Sequence, residues 1–225
     1  MTNQKLAERI VAYMGMKGYQ VDIDPGHVNI VYLEGANPDA TLNSDAADGW
    51  NDLSHIITFD AEKIPKIVFS AVCTTEPGKA ATFDSAARRL GGVARIALGQ
   101  HTAWRVGFHK QSRLLDTHPA LVQCAPVPVH RDSNRDGLRI GDPVGHAQGL
   151  NQHGTAPSYR GGSVGRWSAG CLVRQWWADH LRFMEIVRSD PRYLSNARHI
   201  FSTTIIAGDD FFRTFESESE MKAPA

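Results

Sequence analysis

His153 and Cys171 bracket the stretch HGTAPSYRGGSVGRWSAGC, 19 residues that hold five glycines and no acidic side chain. A cysteine attacks a carbonyl as the thiolate, and an adjacent imidazole or a helix N-terminus lowers its pKa. Gly161, Gly162 and Gly165 let the connection fold back, so that His153 can reach Cys171. Gly170 permits a tight turn in which the amides of Gly170 and Cys171 point at a developing oxyanion. The residues alone leave two readings open: a nucleophile and its base, or two structural side chains joined by an ordinary Gly/Ser-rich loop.

A second group lies upstream in VHRDSNRDGLRIGDPVG, where Asp132, Asn134 and Asp136 alternate and Gly137 follows. Oxygen ligands at the first, third and fifth positions before a glycine open a calcium loop. The carbonyl of Leu138 would be the next ligand, and Asp142 would substitute for the glutamate expected where Pro143 stands. A structural Ca2+ here would fix the loop that delivers His153. Asx residues also favour turns by bonding nearby amides, and that reading fits the same positions. His101, His109, His118, His130, His146 and His153 raise a zinc-dependent peptidase as an alternative, with His109, His130 or His146 and Asp132 as ligands. No paired-histidine zinc helix occurs among them.

The elements that must carry these residues are mostly strands. Leu6, Ile10, Val11 and Met14 predict a short amphipathic helix over 4–15, within an N-terminal helical appendage spanning 1–20. Strand patterns occur around HVNIVYLEG, at 55–60, 66–75, 93–100, 103–110 and 120–130, and again at 199–208. From Val173, a stripe through Trp176, Trp177, Leu181, Met184 and Val187 predicts a helix that starts directly after Cys171 and ends before Pro191. Trp176 and Trp177 read as a sugar-stacking platform or as core. Cys73 and Cys124 read as buried filler, and residues 216–225 as a frayed tail. Without a linker or repeat, the expectation is a single α+β domain, predominantly β, over 1–225.

Twenty-four basic residues balance 24 acidic ones, so no overall field recruits nucleic acid. No membrane span and no secretory leader is read, and three widely spaced cysteines argue against a disulfide framework. Synthesis in the cytoplasm is the expectation. The composition is silent on oligomeric state.

HGT, Gly165 and SAGC together resemble the signature of the L,D-transpeptidase catalytic domain, the YkuD-like family, in which a histidine-glycine or histidine-serine pair precedes a Ser-His-Gly-Cys block by a similar interval. CTTEPG, 73–78, looks like the proline-rich turn upstream of that site. The resemblance implies a twisted β-sandwich with a helix after the cysteine, and acyl transfer on peptidoglycan stem peptides without a catalytic cofactor. Cys171 would be the nucleophile and His153 the base, with the carbonyl of Gly154 orienting the imidazole. Ser168 would shape the turn, and the amides of Gly170 and Cys171 would bind the oxyanion. Arg166 and Arg174 would hold the carboxylate of diaminopimelate. Ala169 replaces the usual second histidine, and Val173 stands where an arginine is usual, with Arg174 next, which marks a divergent branch. Such an enzyme acts at the bacterial wall, as a phage-encoded lysis or virion-associated protein or as an exported one. A phage structural or wall-binding domain with a decayed site is the non-catalytic alternative.

Overall fold

The computed structural model describes residues 1–109 and 117–220. Lys110 of the expected strand 103–110, and residues 221–225 of the expected tail, lie outside the described residues. Thr2 accepts a hydrogen bond from the amide of Lys5 (3.2 Å) and opens α1, Asn3–Met16, which buries Leu6, Ile10, Tyr13 and Met14 on one face. The strands β1 (Asn29–Glu34), β2 (Asp52–Phe59) and β3 (Pro65–Thr74) follow, then the short helices α2 (Lys79–Thr82) and α3 (Ser85–Arg89). The middle supplies β4 (Val93–Ile96), β5 (Gly99–His109), β6 (His118–Gln123), β7 (Val127–Asp132), β8 (Val144–Ala147), β9 (Gln152–Gly154) and β10 (Leu172–Arg174). The chain continues through α4 (Trp177–Arg188), α5 (Pro191–Ser195), β11 (Phe201–Ala207) and α6 (Gly208–Glu220), so 216–220 are helical.

The fold is α+β and predominantly β. Its main sheet closes on itself in the order β1-β11-β5-β6-β9-β10-β3-β2, and β4, β7 and β8 form a separate three-stranded sheet. The larger sheet is therefore a closed barrel, with a small sheet against it. Two runs read as single strands are each cut in two. Residues 97–98 separate β4 from β5, which opens on Gly99 at φ 126°, and Pro126, which has no amide proton to donate, lies between β6 and β7. Both cuts transfer the chain between the sheets.

β1 is buried along its whole length because both of its faces are covered. Ile30 and Tyr32 join Ile56, Phe69, Trp104, Leu121, Phe183 and Phe201 in one core cluster. Val31 and Leu33 face α1 and α6 in a second cluster, where Ile10 and Met14 meet Phe211 and Phe215. Burial of each such side chain stabilises by about 1.5–3 kcal/mol.

An ion cluster ties the small sheet to the barrel. Arg139, between β7 and β8, grips Glu34 at the end of β1 with two bonds of 2.8 and 2.6 Å. Arg95 of β4 pairs with Glu76, with Asp45 at 3.1 Å and with Glu34 at 3.6 Å. Burial pushes the carboxyl of Glu34 up, but Arg139 and Arg95 outweigh it and leave it below its usual range. Asp52 accepts from the amides of Gly35 (2.8 Å) and Thr75 (2.6 Å). Burial and the charge of Glu34 push its carboxyl up to about 7. Burial, only partly offset by Arg95, takes Glu76 to about 8.

A carboxyl whose pKa is raised on folding stabilises the fold at low pH, and that contribution is lost as pH climbs through the raised value. Histidines held neutral act in the opposite sense. Burial lowers His55 to about 4 and His180 to about 3, so their contribution is lost as pH falls below the ordinary imidazole value of about 6.5. Between about pH 6.5 and 8 the two carboxyls therefore set the slope. The melting temperature is expected to fall across this interval. Asp52→Asn lowers stability overall, because its amide faces a donor, yet flattens the slope. A wild-type melting temperature that rises from pH 6.5 to 8 would overturn the assignment.

Candidate active site

β9 and β10 run parallel, with Leu172 beside Gln152, Val173 beside His153 and Arg174 beside Gly154. Strand side chains alternate between faces, so Val173 and His153 share one face while Leu172 and Arg174 point into the barrel. Cys171 directly precedes β10. The pairing continues to the cysteine's neighbour, since the amide of Leu172 donates to the carbonyl of Asn151 at 3.0 Å. Cys171 is partly exposed, and its Sγ lies 3.8 Å from the carbonyl oxygen of Gly149.

The turn into Cys171 is built from residues that only this packing accommodates. Gly170 has φ 132°, and a Cβ there would sit 2.4 Å from the carbonyl oxygen of Ala94 in β4. Ser168 accepts from the amide of Gly170 (3.1 Å) and donates to the carbonyl of Cys171 (2.8 Å), bracing the turn from within. The amide of Gly170, expected to face an oxyanion, is thus directed at Ser168. The upstream CTTEPG turn meets the same loop, with the amide of Gly78 bonded to the carbonyl of Ser168 at 2.9 Å. The expected helix N-terminus behind the thiol is displaced. β10 intervenes and α4 begins at Trp177, because 172–174 fill the gap between β3 and β9.

Nδ1 of His153 lies 2.8 Å from the carbonyl oxygen of Gly154. A carbonyl only accepts, so Nδ1 carries the proton, and in the neutral ring Nε2 holds the lone pair. Burial, followed by the neighbouring ring of His109, pushes the imidazole well below its usual range and keeps it neutral. Sequence reasoning did not assign the surrounding histidines to this base. His109 of β5 stacks on His153 with centroids 4.0 Å apart and planes 16° apart, and the side-chain amide of Asn151 lies 2.9 Å from its Nδ1. His118 lies 5.8 Å from His153 and from His180. His180 closes over Gly154, where a Cβ would come within 2.6 Å of its own. The strand pairing of His109 with His118 is the source of the cluster, and no spacing rule in the sequence encodes it.

Several expected ligands lie elsewhere. Arg174 is fully buried, not poised for substrate. Its Nη2 donates to Tyr32 (2.7 Å) and Ser54 (3.1 Å), and its guanidinium carbon sits 3.2 Å from the centre of the Phe183 ring. Aromatic faces thus replace a counter-ion, since no carboxylate is within ion-pair distance among the described residues. Arg166 is exposed and paired with Asp84 at 2.5 Å. Asp132, Asn134 and Asp136 accept from the amides of Gly137, Asp136 and Leu138, as Asx residues do in turns. The charge of Asp132, second to burial, raises Asp142. Among the described residues no group of three or more His, Cys, Asp or Glu side chains is placed to hold a metal ion. The alternative zinc set is divided between His109 at the barrel and His130 and His146 on the small sheet. Cys73 is buried, whereas Cys124 is exposed where β6 leaves the barrel.

No family model, curated protein or solved structure matches this chain.

Arg174 as a core cation gives a stability test. Arg174→Ala opens a cavity among Tyr32, Phe69 and Phe183 and is expected to cost about 2–5 kcal/mol in denaturant melts. Arg174→Met refills the space and recovers most of that loss. An unchanged melting curve for Arg174→Ala would show that the side chain is not part of the core.

Proposed function

We propose that this chain carries out cysteine-dependent acyl transfer on peptidoglycan stem peptides, as an L,D-transpeptidase or as an L,D-carboxypeptidase or endopeptidase with a divergent L,D-transpeptidase-like fold, acting at the bacterial cell wall. One observation carries the reading. His153, with its Nδ1 held by the carbonyl of Gly154 at 2.8 Å, lies in β9, the strand paired with β10, which begins directly after Cys171. That hydrogen bond is the orienting contact the resemblance assigns to Gly154. It leaves Nε2 as the basic nitrogen.

Nε2 of His153 takes the proton from the thiol of Cys171, and the thiolate adds to the carbonyl carbon of the amide after diaminopimelate. The tetrahedral intermediate collapses as His153 returns the proton to the leaving amine of D-alanine, and a thioester remains on Cys171. An amine acceptor then makes a crosslink or an exchanged residue, and water makes a carboxylate. A neutral imidazole in the resting site suits a base that must receive a proton. His109, stacked on His153, supplies a second ring from β5, whereas the family's second histidine position is Ala169, an exposed residue here.

Intact-mass spectrometry after incubation with purified muropeptides is expected to show an acyl adduct or turnover in the wild-type protein and neither in Cys171→Ala. His153→Ala is expected to lose about 10²–10⁴-fold in kcat/KM. With its pKa depressed, the base stays neutral as pH falls, so the acid limb of kcat/KM lies below the ordinary imidazole value of about 6.5. Turnover that survives in Cys171→Ala, or an inert wild-type protein across a panel of stem peptides, overturns the proposal.

A further inference from the structure

Tyr159, on the loop from β9 to Cys171, is the centre of an aromatic cluster that the chemistry above does not use. Trp176 follows β10, 43% exposed, and its ring meets Tyr159 with centroids 5.6 Å apart. Tyr159 also touches Trp167 at 5.7 Å and Trp50 at 5.8 Å. Trp176 lies beyond the C-terminal end of β10, and Trp167 lies four residues before Cys171 at the other end. The three indoles thus gather on Tyr159, with Trp167 and Trp176 flanking Cys171 and β10 along the chain.

Two polar groups of this cluster are tied to the loop itself. Nε1 of Trp50 donates to the hydroxyl of Tyr159 and to the carbonyl of Gly162, each at 2.8 Å, and the Tyr159 hydroxyl donates to the same carbonyl at 2.7 Å. Carbon ring surface is therefore a large part of what a ligand would meet. The surrounding loop offers Ser158, Arg160, Gly161, Gly162 and Ser163, all exposed and none aliphatic. A protein partner or an acyl chain is favoured by a continuous aliphatic patch. An aromatic surface edged by hydroxyls, a guanidinium and open backbone fits a ligand with a C–H face and a polar rim, which is the chemistry of a pyranose ring.

We propose that Trp176, Tyr159, Trp167 and Trp50 form a saccharide-binding platform that holds the glycan of the substrate beside Cys171. The inference rests on the acyl-transfer reading for its biological role, but not for its detection. Isothermal titration with peptide-stripped peptidoglycan chains is expected to show binding by the wild-type protein and by Cys171→Ala, and a loss of about tenfold or more in Trp176→Ala. Trp176 is exposed and its side chain makes no capping bond to α4, so its removal leaves the fold intact; Trp176→Phe restores a ring and part of the affinity. In kinetics, Trp176→Ala is expected to raise KM for a disaccharide tetrapeptide about tenfold relative to KM for the bare tetrapeptide. Absence of glycan binding by the wild-type protein, or equal KM changes for the two substrates, overturns the platform. Glycan binding that depends on Trp176 without turnover of either peptide upholds the platform and sinks the acyl-transfer reading alone.

Discussion

The buried grip of Arg139 and Arg95 on Glu34 is the contact on which the arrangement of this protein depends. Charges that have left water need partners of good geometry, and Glu34 receives two parallel bonds from Arg139, which fix direction as well as distance. Because Arg95 belongs to β4, the same cluster locks the small sheet against the barrel. The next residue back, Ala94, packs against Gly170 and accepts nothing larger than hydrogen there. Its amide also donates to Ala169 at 3.3 Å. The ion cluster thus reaches the cysteine turn through one strand and one peptide group.

A second constraint is desolvation of the imidazoles. Four histidines, His109, His118, His153 and His180, meet where β5, β6, β9 and α4 converge. Several protonated rings at these distances would repel one another in a poorly solvated space, so burial and mutual repulsion act together to keep His153 neutral. In the proposed reaction this leaves the ring unprotonated at rest and lowers its basicity. The helix that follows Cys171 in the chain starts six residues later, so the cysteine is not at its N-terminus.

Arg174 shows how strand parity decides chemistry. Three residues after Cys171 it reads as a ligand for a substrate carboxylate, yet it lies on the opposite face of β10 from Val173. The closed barrel receives it among Tyr32, Ser54 and the ring of Phe183. Trp176 is displaced in the other direction. A helical stripe from Val173 suggests a core position, but the first residues of that run complete a sheet, and Trp176 is left exposed before α4 begins.

The sequence by itself determined most strands, α1, the β-rich class and the one segment in which a histidine, a cysteine and their flanking glycines lie close along the chain. These are local properties: alternation, helical spacing and the backbone freedom of glycine. It did not determine where 93–100 and 120–130 divide, since a break there is decided by which sheet each half joins. Nor did it determine the neighbours of His153, because His109, His118 and His180 lie 44 residues before, 35 before and 27 after it in the chain. Only the tertiary structure decided those contacts. A one-residue change of strand face sends a side chain to solvent or into the barrel, and barrel closure brings together residues whose separation in sequence carries no periodic signal.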